Sequence, residues 1–193
     1  MSSRDSVTVR VRAPDSFSGT EPNAKTRVRF ETSRGDFVLE LEDALVPDTV
    51  ANFLQYVNDG FYEGLIFHRV IPDFVVQGGG FTPLMDPAET RDPIALEISD
   101  TLKNDRGTVG MARLSDPDTA TSQFYVNLKD NDDLNASAEV DGFRGFAVFG
   151  RVVSGMDVID GIAGVRTASR GFPPDRFDDV PVVDIIINSA IVE

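Results

Sequence analysis

Residues 67 to 81 read Phe67-His68-Arg69-Val70-Ile71-Pro72-Asp73-Phe74-Val75-Val76-Gln77-Gly78-Gly79-Gly80-Phe81. Two short apolar segments flank Pro72-Asp73, a pair that favours a turn because proline presets φ and aspartate bonds back to its own backbone. The first segment carries Arg69 and the second carries Phe74 and Gln77. Strict alternation would send Phe74 and Gln77 to opposite faces of a strand. The glycines that follow allow a kink that would bring the two together.

Outward from this stretch the chain reads as many strands and few helices. Arg27 to Glu31 and Asp36 to Leu41 flank Ser33-Arg34-Gly35 as a hairpin. Pro47 at a first helical position, Asp48 in the first turn and Val50, Phe53, Leu54 and Val57 at helical spacing predict an amphipathic helix that Gly60 ends. A second, shorter helix is expected with Ser154 as its cap, Asp157 three residues on, and Val158, Ile159 and Ile162 on one side before Gly164. The segments around Phe67, Phe74, Val109, Phe124, Ala147 and Val183 read as strands. No internal repeat is present. So many strands leave edges that must be hidden, which a sandwich or a barrel can do, and barrel closure does completely.

Residues 1 to 25 stand apart. Val7, Val9 and Val11 alternate with Thr8, Arg10 and Arg12, and a loop rich in Pro, Ser, Gly and Asn follows from Ala13 to Ala24. The expectation is a short strand and a mobile tether, leaving an added edge strand, an occupant of a groove and a disordered tail all open. The remaining residues, 26 to 193, are expected to form one domain, and at 41% hydrophobic the 193-residue chain can close one sizeable core.

Composition excludes several classes. With no cysteine and one histidine, disulfides and thiolate chemistry drop out and a structural zinc site is disfavoured. The formal charge of −14, from 32 acidic against 18 basic residues, argues against nucleic acid and anionic membranes as partners. It reads most simply as a solvated face, and an Asp-rich, Lys-poor surface also fits a salty cytoplasm. No apolar run reaches the roughly 18 residues of a membrane span, and the first residues lack the apolar centre of a signal peptide. A cytoplasmic protein is expected, or a periplasmic one if a leader stood upstream.

The stretch from Phe67 to Phe81 closely resembles the signature of the cyclophilins, a family of peptidyl-prolyl cis/trans isomerases. Gly60-Phe61-Tyr62, Gly107-Thr108-Val109-Gly110-Met111-Ala112-Arg113, Ser122-Gln123-Phe124-Tyr125-Val126-Asn127 and Phe146-Ala147-Val148-Phe149-Gly150-Arg151-Val152 resemble cyclophilin segments in family order. The resemblance runs from about Thr26 to the C-terminus, and the short loops look most like the compact bacterial branch. It implies a closed eight-stranded antiparallel barrel capped by two α-helices. It also implies an isomerase that is a monomer, needs no cofactor and acts on proline-containing segments of unfolded or flexible proteins.

By the same resemblance Arg69 and Gln77 match the catalytic positions. Phe74, Val75, Tyr125 and Leu134 match the cup for the proline ring, while Gln123 and Phe146 line the approach. Arg113 matches the position whose backbone pairs with extended substrate, and Ala112 keeps the groove open. Val75 stands where methionine is usual and Tyr125 where phenylalanine is usual. Asp133 falls where animal cyclophilins carry the tryptophan that grips cyclosporin, and Phe146 falls at a histidine or tyrosine position. Weak cyclosporin binding is therefore expected, since an indole has given way to a solvated carboxylate.

Each motif also has a plainer reading. His68 does not suggest a serine triad, because no Gly-x-Ser-x-Gly elbow is present and isomerisation needs no nucleophile. The three glycines lack the following Gly-Lys-Ser/Thr of a phosphate loop and are read as turn geometry. Asp130-Asn131-Asp132-Asp133 lacks the glycine and distant glutamate of a calcium loop and is read as solvated. Two other functions compete: a proline-binding scaffold whose turnover is incidental, and a ligand-carrying barrel. The second is disfavoured because a small barrel fills with side chains.

Overall fold

The computed structural model describes residues 25–136, 145–171 and 176–193. The Val7–Val11 alternation and the loop after it lie outside the described residues. In chain order the elements are β1 (Arg27–Thr32), β2 (Gly35–Leu41), α1 (Pro47–Asn58), β3 (Phe67–Ile71), β4 (Val75–Gly78), β5 (Thr108–Met111) and β6 (Phe124–Asn127). There follow a 3₁₀ turn (Asp132–Leu134), β7 (Val148–Ser154), α2 (Met156–Ala163), β8 (Thr167–Arg170), β9 (Phe177–Pro181) and β10 (Ile187–Val192).

Eight strands form one curled antiparallel sheet in the order β10-β1-β2-β7-β5-β6-β4-β3. Its outermost strands are β10 and β3, and the chain beside them meets in a single antiparallel bridge, Ile66 to Ile186. There the Phe67 N–H donates to the Ile185 carbonyl at 3.0 Å and the Ile187 N–H donates to the Leu65 carbonyl at 2.8 Å. β8 and β9 pair separately as a two-stranded hairpin that the sequence pattern did not suggest.

Alternation in β1 and β2 turns Val28, Phe30, Phe37, Leu39 and Leu41 inward. Gly35 takes φ +123 in the turn between them, and a Cβ there would sit 3.0 Å from Val158 of α2, so glycine is needed for both conformation and packing. The concave side of the sheet is filled by Phe30, Phe37, Phe53, Tyr62, Phe67, Phe124 and Phe149, all fully buried. Phe30 stacks on Phe37 at 5.0 Å, and Phe53 meets Phe149 at 4.9 Å and Phe124 edge-on at 5.8 Å. With the interior packed this way, a binding site has to be built on the outer face.

α1 begins with Pro47 and buries Val50, Phe53 and Val57, as its spacing predicts, while Leu54 is only half-buried and Tyr56, which the spacing did not single out, is buried as well. No side chain at its N-cap satisfies the first N–H groups. Glu97 does so from 48 residues away: its Oε2 accepts from both the N–H and the Oγ1 of Thr49 at 2.9 Å. α2 buries Ile159 and Ile162, but Ser154 is not its cap. Gly155 is, at φ 79, and a Cβ there would lie 2.4 Å from the Asp36 carbonyl, which no serine could accept. The segment around Val183 is not strand: Val182 and Val183 are exposed in a bend, and β10 starts at Ile187.

Candidate active site

The register of the outer face places Arg69 of β3 opposite Gln77 of β4, Gln77 opposite Tyr125 of β6, and Tyr125 opposite Gly110 of β5. These residues therefore form one row across four strands. The row depends on an irregularity between Phe67 and Arg69. Plain alternation would put both on one face, but the bulge resets the phase so that Phe67 and Val70 enter the core while Arg69 faces outward.

Phe74 reaches the same site by a different route. It sits in the turn before β4, where its N–H donates to the Ile71 carbonyl at 3.1 Å and Asp73 has φ +56. Proline followed by a positive φ is the type II turn pattern, and aspartate is among the residues that tolerate it. The kink that unites Phe74 and Gln77 thus lies ahead of β4, which corrects the expectation from sequence that the glycines after β4 supply it. The glycines have another use: a Cβ on Gly78 would lie 2.7 Å from the Phe67 ring, and one on Gly80 would lie 2.5 Å from Gln123.

Arg69, Phe74, Val75, Gln77, Ala112, Arg113, Tyr125, Leu134 and Phe146 line one open cleft of about 250 Å³. Nine of the ten residues named from sequence thus meet. The tenth, Gln123, stands behind it: Arg69 Nη1 donates to Gln77 Oε1 at 3.1 Å, and Gln77 Nε2 donates to Gln123 Oε1 at 2.9 Å. Among the described residues that relay is the Arg69 guanidinium's one hydrogen bond, so donors remain for a ligand. Its carbon lies 5.9 Å from the Phe74 ring centre.

The far wall is tied together by backbone. The Phe146 N–H donates to the Leu134 carbonyl at 3.0 Å, and the Phe146 ring meets Tyr125 edge-on at 6.1 Å. Arg113 lies over Phe146, 4.5 Å from its centre, and its Nε and Nη2 donate to the Gly145 carbonyl at 3.1 and 2.9 Å. The Ala112 N–H donates to the Gln123 carbonyl at 2.9 Å. Asp133 is exposed on the 3₁₀ turn beside this wall.

The chemistry open to the cleft is narrow. Among the described residues no acidic side chain lines it, and neither does a serine, cysteine, lysine or histidine. Burial pushes the Tyr125 phenol far up, so it stays protonated. His68 is buried beside the cleft with its ring edge-on to Phe81 at 4.7 Å and, among the described residues, Nδ1 without a partner. Burial lowers its pKa to about 4, helped by the Arg69 charge and opposed by the backbone of Ile66 and the side chain of Gln123. What remains is an apolar cup beside a guanidinium and amide donors, which can hold and polarise a peptide without forming a bond to it.

Sequence reasoning missed a set of asparagines beneath the cleft. Asn104, Asn127 and Asn131 are buried, and Asn135 is half-buried. Asn131 belongs to the stretch read as a solvated loop, yet it is 4% exposed. The available signal was the spacing of four between Asn127, Asn131 and Asn135. Among the described residues no three His, Asp or Glu side chains could hold a metal ion.

Comparisons with known proteins point the same way. The model of the cyclophilin type peptidyl-prolyl cis-trans isomerase/CLD family matches residues 27–192. The peptidyl-prolyl cis-trans isomerase cyp18 of Streptomyces antibioticus is 52% identical over 164 residues, covering 84% of this chain and 96% of that protein. Peptidyl-prolyl cis-trans isomerase B of Escherichia coli K12 is 48% identical over 165 residues, covering 86% and 98%. Among solved structures, a Cryptosporidium parvum cyclophilin type peptidyl-prolyl cis-trans isomerase, crystallised in the presence of the dipeptide Ala-Pro, superposes with a TM-score of 0.69 at 26% identity. That match covers 86% of this chain and 98% of the other. A family match over almost the whole described body, on a sheet that gathers the family's signature residues into one cleft, makes this chain a member of the cyclophilin-type peptidyl-prolyl cis-trans isomerases.

Proposed function

We propose that the cleft is the proline site and that Arg69 is its catalytic group, with Gln77 orienting it. An Xaa-Pro bond has little preference between cis and trans, but about 20 kcal/mol separates them because amide resonance must be broken. No bond is made or lost overall. A catalyst has only to bind the twisted amide, with its newly basic nitrogen, better than either planar form. A guanidinium suits this task because it is always charged and offers several donors in one plane, so one N–H can meet the nitrogen lone pair while another holds a carbonyl.

The observation that carries this reading is the relay Arg69–Gln77–Gln123 standing beside an apolar cup of Phe74, Val75, Tyr125 and Leu134. Gln77 fixes one edge of the guanidinium and leaves the rest for substrate. Ala112, Arg113 and Phe146 then bound the path of the peptide, with Gln123 supporting it from behind. The substrates are proline-containing segments of unfolded or flexible proteins, and the solved relative crystallised with Ala-Pro supports that class. The Ile66–Ile186 bridge between the outer strands supports reading the curled sheet as a closed barrel. Exposed Asp133 beside the far wall supports weak cyclosporin binding.

Isomerisation of an Ala-Pro peptide tests the reading. Wild-type protein should accelerate it, and Arg69→Ala should lose roughly a hundredfold or more of the catalysed rate, as for removal of other charge-stabilising donors. Full activity in a folded Arg69→Ala protein would remove Arg69 from the mechanism.

A further inference from the structure

The three bulky walls of the apolar cup come from three separate stretches of chain. Phe74 lies in the turn before β4, Tyr125 on β6 and Leu134 on the 3₁₀ turn. The β4–β6 ladder, the Leu128 N–H donating to the Phe74 carbonyl at 2.9 Å and the Tyr125–Phe146 ring contact tie these walls on the outside, and a second tie runs beneath them. Tyr125 is 4% exposed, and under its ring the facing position on β5 is Gly110, where a Cβ would lie 2.2 Å from the ring's Cζ and hydroxyl. The ring therefore lies on bare backbone, and no side chain of β5 sets its tilt from below.

The hydroxyl does reach a partner. It donates to Asn104 Oδ1 at 2.7 Å. Asn104 is in turn clamped: its N–H and Nδ2 both donate to Asn135 Oδ1, at 2.8 and 3.1 Å, and its carbonyl accepts from the Asn131 N–H at 2.8 Å. Asn131 Nδ2 donates to the Phe74 carbonyl at 3.0 Å and to Asn127 Oδ1 at 2.7 Å. Asn127 Nδ2 returns to Asn104 Oδ1 at 3.2 Å. This buried amide belt touches the backbone of Phe74, the hydroxyl of Tyr125 and the residue next to Leu134.

We infer that Tyr125 is a specificity-determining residue whose hydroxyl, held by Asn104, sets the width of the cup and thereby its selectivity for a five-membered ring. Asn104, Asn127, Asn131 and Asn135 are positioning residues that act through the three walls. A well-satisfied buried polar network is rigid, and a rigid cup rejects a ring of the wrong size more strongly than one that can yield. Phenylalanine at this position, the usual family choice, would present the same ring to the ligand without the tie. Removing the hydroxyl leaves Asn104 Oδ1 still accepting from Asn127, so no buried acceptor is orphaned and the fold should survive.

The assignment rests on the cleft being the proline site, and the test separates the two claims. Peptides carrying Ala-Pro and Ala-pipecolic acid, whose ring has one more methylene, would be compared as substrates of wild type, Tyr125→Phe and Asn104→Ala. Tyr125→Phe should lower the ratio of the two kcat/KM values by roughly threefold or more, mainly through KM, and Asn104→Ala should lower it in the same direction. A loss of stability alone would depress both substrates equally. An unchanged ratio in folded, active Tyr125→Phe would overturn the role of the hydroxyl while leaving the proline site intact. No turnover of Ala-Pro by wild type would overturn the site itself, and this inference with it.

Discussion

At position 68 a single imidazole is held neutral, and its titration can be read separately because the chain contains no other histidine. Burial lowers its pKa to about 4 in the folded protein, whereas the unfolded chain takes up that proton near pH 6.5. Acidification therefore favours the unfolded state: the contribution is complete above about pH 6.5 and is lost as the pH falls toward 4. Its full size is on the order of 3 kcal/mol. Urea unfolding of the wild type should show stability falling between pH 6.5 and 5 with the slope of one proton, and His68→Gln should flatten that slope. An equal slope in both would place the buried proton elsewhere. The neighbouring Arg69, Phe74, Gln77 and Tyr125 were legible from sequence because their order along the chain carries a family pattern. The asparagine belt was not, since a polar residue in an Asp-rich stretch reads as surface until the fold closes over it.

The elements show which local rules were sufficient. The β1–β2 hairpin and the buried stripe of α1 follow from alternation and helical spacing, because each is decided within its own segment. The misreadings involve partners far away in sequence. Gly155 caps α2 in place of Ser154 because β2 crowds that position, and the bulge at His68 is visible only from pairing with β4. The remote cap on α1 is of the same kind. Glu97→Ala would leave the Thr49 N–H and hydroxyl without their acceptor, at a cost of about 1 kcal/mol, typical for loss of a cap. The melting temperature should fall by about 2–4 °C. Turnover below the transition should be unchanged, because Glu97 does not line the cleft. An unaltered melting temperature would mean that the first turn of α1 is satisfied some other way.

At the scale of the molecule, the formal charge of −14 is spread over an exterior whose ion pairs are mostly exposed, such as Arg106–Asp160 and Arg27–Glu40. Pairs of that kind contribute little to stability, so the packed aromatic interior has to carry the fold. The cleft breaks the acidic pattern, since among the described residues its only charged linings are Arg69 and Arg113. With Arg69 as the proposed catalytic group, catalysis depends less on overall charge than on the shape of one guanidinium. The measurement that tests this most directly is exchange spectroscopy of an Ala-Pro peptide at low temperature with wild type and Arg69→Lys. Lysine keeps the charge but lacks the planar fork, so Arg69→Lys should lose most of the turnover while the fold is retained. Near-normal exchange in Arg69→Lys would show that positive charge alone suffices and would contradict the account.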